Sequence, residues 1–134
     1  MKLYSACIVT ILAAFLFISG CKEKSAKDLI VKKWKFTEIS GPGAAQIPDS
    51  MKQEMYKTAT MEFKKDGTWE AGGMVSAGQK GTYSVSEDGK SLISKEGSGT
   101  PDTLMILKLT ETKMVVTPKN KGNGDDIKVT MKAN

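Results

Sequence analysis

The chain repeats short runs in which apolar and polar residues alternate, and only a few residues separate one run from the next. The run from Thr58 to Lys64 is one example, and alternation with a period of two is typical of a strand with one buried face. If Lys65-Asp66-Gly67 is a three-residue loop with Gly67 in a bulge, Phe63 lies opposite Trp69. A two-residue loop would place Glu70 on the apolar face, so we predict the bulged turn.

A second alternating pair of runs surrounds the turn at Glu87-Asp88-Gly89-Lys90. Pairing Val85 with Leu92, and Tyr83 with Ser94, keeps one face mostly apolar. Ile93 is an alternative inward residue, because it also lies in this short apolar segment.

A third hairpin is predicted around Glu111-Thr112, with Leu109 opposite Met114 and Leu107 opposite Val116. Together with the remaining runs this gives about eight short strands joined mostly by hairpins. Parallel pairing is excluded, because it needs crossovers of a dozen or more residues. The meander order and short turns favour an all-β fold, an antiparallel up-and-down barrel of about eight strands, over a sandwich.

Two short helical segments interrupt this pattern. Ser25 precedes Asp28 by three residues, a spacing typical of a helix start, so we expect one helical turn before the first strand. The segment 49–57 is predicted to be an amphipathic helix with Met51 and Met55 on one face. We expect this helix to lie across an open end of the barrel.

The composition excludes several classes of function. The chain has no His, and all of its 20 basic residues are Lys. His is the commonest metal ligand and the side chain that titrates nearest neutrality, so most metal-dependent and hydrolytic mechanisms lack their usual groups. The planar guanidinium of Arg forms paired hydrogen bonds with phosphate and guanine. Because the chain has no Arg, we expect no nucleic-acid partner. We therefore expect neither an enzyme nor a bound cofactor or metal.

Two groups of acidic residues are also interpreted as surface charge. In the bulged hairpin Glu62 faces Glu70, but both lie on the outward face beside Lys64, where a carboxylate pair is solvated. Asn123 with Asp125-Asp126 lacks the ligand spacing of a defined calcium loop.

The predicted strands place a common set of large side chains inside the barrel. The inward set is Trp34, Phe36, Met61, Phe63, Trp69, Tyr83, Val85, Leu107, Leu109, Met114, Val116, Ile127, Val129 and Met131. An eight-stranded barrel either fills itself with such side chains or holds one small ligand among them. Methionine gives an adaptable lining, so we name a candidate ligand-binding set. Its members are Trp34, Phe36, Met51, Met55, Met61, Phe63, Trp69, Tyr83, Leu107, Met114 and Met131.

The amino-terminal segment resembles a bacterial lipoprotein signal. An apolar run of about fifteen residues, shorter than a membrane-spanning helix needs, ends in Ile18-Ser19-Gly20-Cys21, which matches the lipobox. The resemblance implies removal of residues 1–20 and lipidation of Cys21. Residues 21–27 would then be a polar tether, and residues 28–134 the barrel domain.

Parts of the chain resemble the lipocalin-like lipoproteins of Bacteroidetes. The resemblance is carried by the lipobox, the turn with Leu29, the strand with Trp34, and three motifs: F-K-K-D-G-T-W, G-T-Y and L-K-L-T-E-T-K-M-V-V. In true lipocalins a Gly lies two residues before this Trp, and an Arg packs over it. Here Lys32 occupies the Gly position, and the chain has no Arg. The resemblance implies a barrel without catalytic residues.

Two functions are compatible with these features. The first is a lipid-anchored envelope binding protein for a small apolar or amphipathic ligand. The second is a packed barrel whose loops bind a protein partner in the envelope. By resemblance to sorting rules, the absence of Asp after Cys21 indicates the outer membrane, and Lys22-Glu23-Lys24 lacks an acidic surface-export run, which favours the periplasmic side.

Overall fold

The alternating runs form a closed barrel of eight antiparallel strands, each paired with the next, in which the last strand closes on the first. This computed structural model describes residues 23–73, 78–119 and 126–134. The strands are β1 Lys33–Ser40, β2 Thr60–Phe63, β3 Thr68–Gly72, β4 Lys80–Val85, β5 Ser91–Glu96, β6 Asp102–Leu109, β7 Lys113–Pro118 and β8 Lys128–Ala133. Helix α1 spans Ala26–Ile30, a 3-10 helix spans Pro42–Gln46, and α2 spans Asp49–Thr58. The predicted up-and-down barrel is confirmed.

The hairpin between β2 and β3 has the predicted register, with Phe63 opposite Trp69. Gly67 adopts a φ of +82°, a conformation that glycine accepts without a steric penalty and that the bulged turn requires. The Asp66 carboxylate accepts hydrogen bonds from the backbone amide and the hydroxyl of Thr68. The turn is therefore fixed both by backbone conformation and by a side-chain bond.

The hairpin between β4 and β5 also has the predicted register, with Val85 opposite Leu92 and Tyr83 opposite Ser94. Leu92 is 1% exposed, whereas Ile93 is 38% exposed. Leu92 is therefore the inward residue of β5, and the alternative that Ile93 points inward is wrong.

The hairpin between β6 and β7 corrects one prediction. Leu109 does lie opposite Met114, but Val116 lies opposite Ile106, and the register shifts between Ile106 and Lys108. A bulge adds one unpaired residue to a strand and so changes which side chains share a face. Leu107 falls at this bulge and is 48% exposed, so its predicted inward position is wrong.

Helix α1 closes one end of the barrel, which we call the α1 end. Ser25 caps the helix as its spacing predicts, because its side chain accepts a hydrogen bond from the Asp28 amide. Ile30 at the end of the helix is fully buried, and its carbonyl accepts a hydrogen bond of 2.9 Å from the Trp34 indole. The core and the helix are thus joined by one buried polar contact.

Helix α2 packs against β1. After Phe36 the pairing of β1 with β8 is irregular, and the paired rungs of β1 with β2 run only from Lys33 to Lys35. The amide of Ile39 instead donates to the Tyr56 hydroxyl of α2 at 2.8 Å.

In the described part of the chain no helix is long and apolar enough to cross a membrane.

We expect the Asp66 carboxylate to stabilise the fold above about pH 4 and to lose this effect in more acidic solution. The Thr68 hydroxyl, followed by the Thr68 amide, lowers the pKa of Asp66 from its usual 3.8. The stabilisation is complete above the unfolded-state pKa and is lost as the pH falls through the lower folded-state pKa. Asp66→Asn cannot titrate, so its thermal midpoint, followed by circular dichroism, should change less across this acidic range.

Glu87→Gln is the matched control, because it removes an exposed carboxyl from the turn between β4 and β5. It should keep the acid dependence of the unaltered protein. An unchanged acid dependence in Asp66→Asn would contradict the assignment.

Candidate functional site

On four strands the inward residue farther from the α1 end is less buried than the one nearer to it. On β1, Trp34 is fully buried, while Phe36 is only partly buried. On β2, Phe63 is 2% exposed, and Met61 is only partly buried. The same change occurs from Val85 to Tyr83 on β4 and from Met131 to Val129 on β8. On β3 and β7 the farther residues, Ala71 and Val116, are as buried as the nearer ones, so the inward surface beyond the α1 end combines buried and partly buried side chains.

We call the buried layer nearest the α1 end the floor and the partly buried side chains beyond it the cup. The floor consists of Trp34, Phe63, Trp69, Met114 and Met131, none more than 7% exposed. The cup consists of Phe36, Met61, Leu104, Ile106 and Val129, which are partly buried hydrophobic residues packed against the floor. Every member of the cup is apolar, so its surface suits a hydrocarbon or aromatic group.

The structure brings most of the predicted ligand-binding set together. Five of its members form the floor and two, Phe36 and Met61, belong to the cup. Tyr83 packs edge-on against Phe63, with ring centroids 4.9 Å apart. Met55 is half-buried on α2, whereas Met51 on the same helix is 49% exposed.

Met51 and Leu107 therefore do not line the interior. Sequence reasoning also missed Leu104 and Ile106, which belong to the cup. Neither is in the predicted inward set, because the frame of β6 was taken from Leu107 and Leu109. The apolar pair Leu104 and Ile106 has the same period of two as Leu107 and Leu109. This pair was the signal in the sequence that could have placed Leu104 and Ile106 inward.

Trp69 carries a buried donor without an acceptor. Within the described residues its indole Nε1 has no hydrogen-bond partner, and such a group destabilises the fold by about 1–3 kcal/mol. The indole lies against Gly81, where an added Cβ would be 2.9 Å from Nε1 and 1.9 Å from the Lys95 carbonyl oxygen. Only glycine leaves room for the indole at this point of β4.

A groove of about 390 Å³ borders this contact. Its lining residues are Lys64, Thr68, Trp69, Glu70, Lys80, Gly81, Thr82 and Gly97. Lys64 donates to Glu70 at 3.0 Å, and this bond lowers the pKa of Glu70. Glu70 therefore stays ionised and paired with Lys64, and it lies opposite Glu62 in the ladder.

A larger groove of about 870 Å³ lies at the α1 end, outside the floor. It runs between α1, the turn between β2 and β3, and the end of β4. Its lining residues are Lys24, Lys27, Asp28, Leu29, Val31, Lys32, Lys65, Gly67, Tyr83, Ser84 and Val85. We call it the basic groove, because four lysines and a single carboxylate line it.

Two of these lysines are held by the turn between β6 and β7. Lys24 pairs with the Glu111 carboxylate at 2.6 Å, which lowers the pKa of Glu111 and raises that of Lys24. Lys32 donates to the Glu111 carbonyl at 2.7 Å, and its Nζ lies 5.4 Å from the centre of the Trp34 ring. Lys32 therefore holds its cation over the ring of Trp34.

The wall of the basic groove includes Tyr83. Its hydroxyl donates to the Lys64 carbonyl at 2.7 Å, and burial raises the pKa of Tyr83 above its usual value of 10.0. The phenol thus remains neutral and serves as a structural donor.

The described residues contain no cluster of three or more side chains that could hold a metal ion. The predicted acidic loop at Asn123 and Asp125 lies outside the described residues, as does Cys21.

Comparisons with known proteins agree with this geometry. A family model described as a lipocalin-like domain matches residues 30–116, whereas no curated protein matches the chain. A solved structure of a DUF4847 family protein from Bacteroides vulgatus is similar in fold, with a TM-score of 0.52 and 13% sequence identity. The alignment covers 79% of this chain and 94% of that chain.

The two tryptophans should respond differently to the same substitution. Trp34→Phe removes a donor that bonds to the Ile30 carbonyl, whereas Trp69→Phe removes a donor that has no partner among the described residues. We expect Trp34→Phe to lower the free energy of unfolding by about 2 kcal/mol more than Trp69→Phe does. Urea unfolding followed by circular dichroism measures both, and equal losses or the opposite order would contradict this account.

Proposed function

This chain belongs to the lipocalin-like domain family, and we propose that it is a lipid-anchored envelope protein that binds one small apolar or amphipathic ligand in the cup. The observation that carries the proposal is the partial burial of five apolar side chains that face the barrel interior. The floor is filled by aromatic and Met side chains, while Phe36, Met61 and their neighbours remain partly exposed although they face inward. Partly exposed apolar side chains that face inward are the lining that a small apolar ligand would contact.

The chemistry of the cup defines the class of ligand. Its side chains offer hydrocarbon, one aromatic ring and one thioether, with no charged group among them. Such a lining contacts apolar groups without imposing a single shape, because Met61 is flexible and polarizable. We propose a binding role and not a catalytic one, since the chain has no His and the cup has no nucleophile.

The anchor is proposed from the lipobox at Ile18 to Cys21. We expect the mature protein to begin at Cys21 and to carry acyl chains there, on the periplasmic side of the outer membrane. Intact-mass measurement of protein extracted from cell membranes tests this. Cys21→Ser should abolish both the added lipid mass and the loss of residues 1–20, whereas an unmodified Cys21 in the native protein would refute the anchor.

Filling the cup should prevent ligand binding. We expect Met61→Trp to reduce the binding of the neutral probe N-phenylnaphthylamine about tenfold or more, because the larger ring occupies the proposed site. Met105→Trp is the matched control: it makes the same replacement on the outer wall, where Met105 is 42% exposed. Fluorescence titration measures both, and equal affinities in the two variants would contradict a site in the cup.

Native mass spectrometry of the protein purified from its host should also show a bound small molecule, which an organic extract would identify. A protein that carries no small molecule and does not bind the probe would favour the alternative function, a scaffold for a protein partner.

One observation supports that alternative function. Ile93, Met105 and Leu107 are exposed large hydrophobic residues of the neighbouring strands β5 and β6, and exposed apolar clusters often mark interaction surfaces.

A further inference from the structure

The basic groove has the composition of a site for an amphipathic anion. Its base is apolar, with Leu29 and Val31 partly buried and Val85 buried. The rim carries lysines contributed by two different parts of the chain, the α1 segment and the turn that contains Lys65. A groove of about 870 Å³ is in the size range of small-molecule sites.

Two of the rim lysines lack a partner. Within residues 23–73, 78–119 and 126–134, neither Lys27 nor Lys65 forms an ion pair, whereas Lys24 is paired with Glu111. Asp28 is the single carboxylate in the lining, and its side chain accepts a hydrogen bond from the Ser25 hydroxyl. Among the lining residues lysines outnumber carboxylates four to one, and of the carboxylates beside the groove Glu111 is paired with Lys24, while Asp66 bonds to Thr68.

The position of the groove relative to the chain terminus indicates which anion it meets. Cys21 lies only three residues before Lys24, and three extended residues span at most about 11 Å. If Cys21 is lipidated, the rim lysines lie close to the bilayer, near enough for the charge of anionic lipids to act on them.

We propose that the basic groove binds the phosphate of an anionic phospholipid headgroup in the anchoring membrane, so that the barrel stands with its α1 end on the bilayer. The lysines contact the phosphate, and the apolar base contacts the glycerol end of the acyl chains. The cup then faces away from the membrane, towards the aqueous compartment. This inference rests on the proposed anchor at Cys21 for its orientation, but the groove itself is tested separately.

The test uses the protein extracted from cell membranes and reconstituted with vesicles of phosphatidylcholine alone or with added phosphatidylglycerol. A water-soluble reagent acylates exposed lysines, and peptide mass spectrometry gives the rate at each lysine. We expect phosphatidylglycerol to slow the acylation of Lys27 and Lys65 about fivefold or more. Lys95 near the end of β5 and Lys119 just after β7 are exposed and lie away from α1, so they should keep their rates.

A charge-reversed pair provides the matched comparison. In Lys27→Glu with Lys65→Glu, the protection of Lys24 and Lys32 by phosphatidylglycerol should disappear. In Lys95→Glu with Lys119→Glu, which changes the total charge equally, that protection should persist. Equal rates on both vesicle types in the unaltered protein would overturn the proposal without the need for any variant.

Two further outcomes separate the possible causes of failure. Inorganic phosphate that protects Lys27 and Lys65 on phosphatidylcholine vesicles as well as phosphatidylglycerol does would assign the groove to a free anion and overturn a lipid site. Protein that does not sediment with phosphatidylcholine vesicles would refute the anchor. The same protein bound to phosphatidylglycerol vesicles, with Lys27 and Lys65 protected, would still support the groove.

Discussion

The hydrogen bond from the Trp34 indole to the Ile30 carbonyl is the contact on which the α1 end depends. Trp34 and Ile30 are both fully buried, and a buried donor must find an acceptor or destabilise the fold. The acceptor lies at the end of α1, so the helix cannot leave the barrel without exposing the core and breaking this bond. Lys32 then lies over the same ring and bonds to the turn between β6 and β7. One aromatic side chain thus joins the terminal helix, the first strand and a distant turn.

The sealing of this end gives the barrel two chemically different ends. At the α1 end the floor is solid, and the groove outside it is lined by lysines. Beyond the floor several inward apolar side chains are only partly buried. A small barrel has room either for its own side chains or for a ligand, and the partly buried side chains of the cup are where we propose that a ligand binds. The two proposals follow this division, with an apolar ligand inside and an anionic headgroup outside, and neither site needs the other to be occupied.

Two local irregularities decide the details of this interior. The bulge in β6 turns Leu107 outward and brings Ile106 opposite Val116. The irregularity in β1 follows Phe36, where the strand leaves β2 and bonds to the Tyr56 hydroxyl instead. Each irregularity interrupts the strict alternation of inward and outward side chains along its strand. It therefore changes which residues reach the cup. A third constraint is the close approach of Trp69 to Gly81, which leaves the indole donor without a described acceptor.

The sequence by itself determined the barrel, because its short turns and period-two runs allow only antiparallel neighbours, and the apolar face fixes the register wherever a hairpin has no bulge outside its turn. The registers of Phe63 with Trp69 and of Val85 with Leu92 followed from this rule. So did the floor of the candidate site, since its members occupy regular positions of their strands. The tertiary structure alone decided that Leu107 points outward, that Met51 is exposed, and that the residues of the basic groove come together. The position of a bulge depends on the hydrogen bonds of the whole ladder between two strands. The groove brings together lysines about forty residues apart in the chain, and a local sequence pattern cannot predict that they are close.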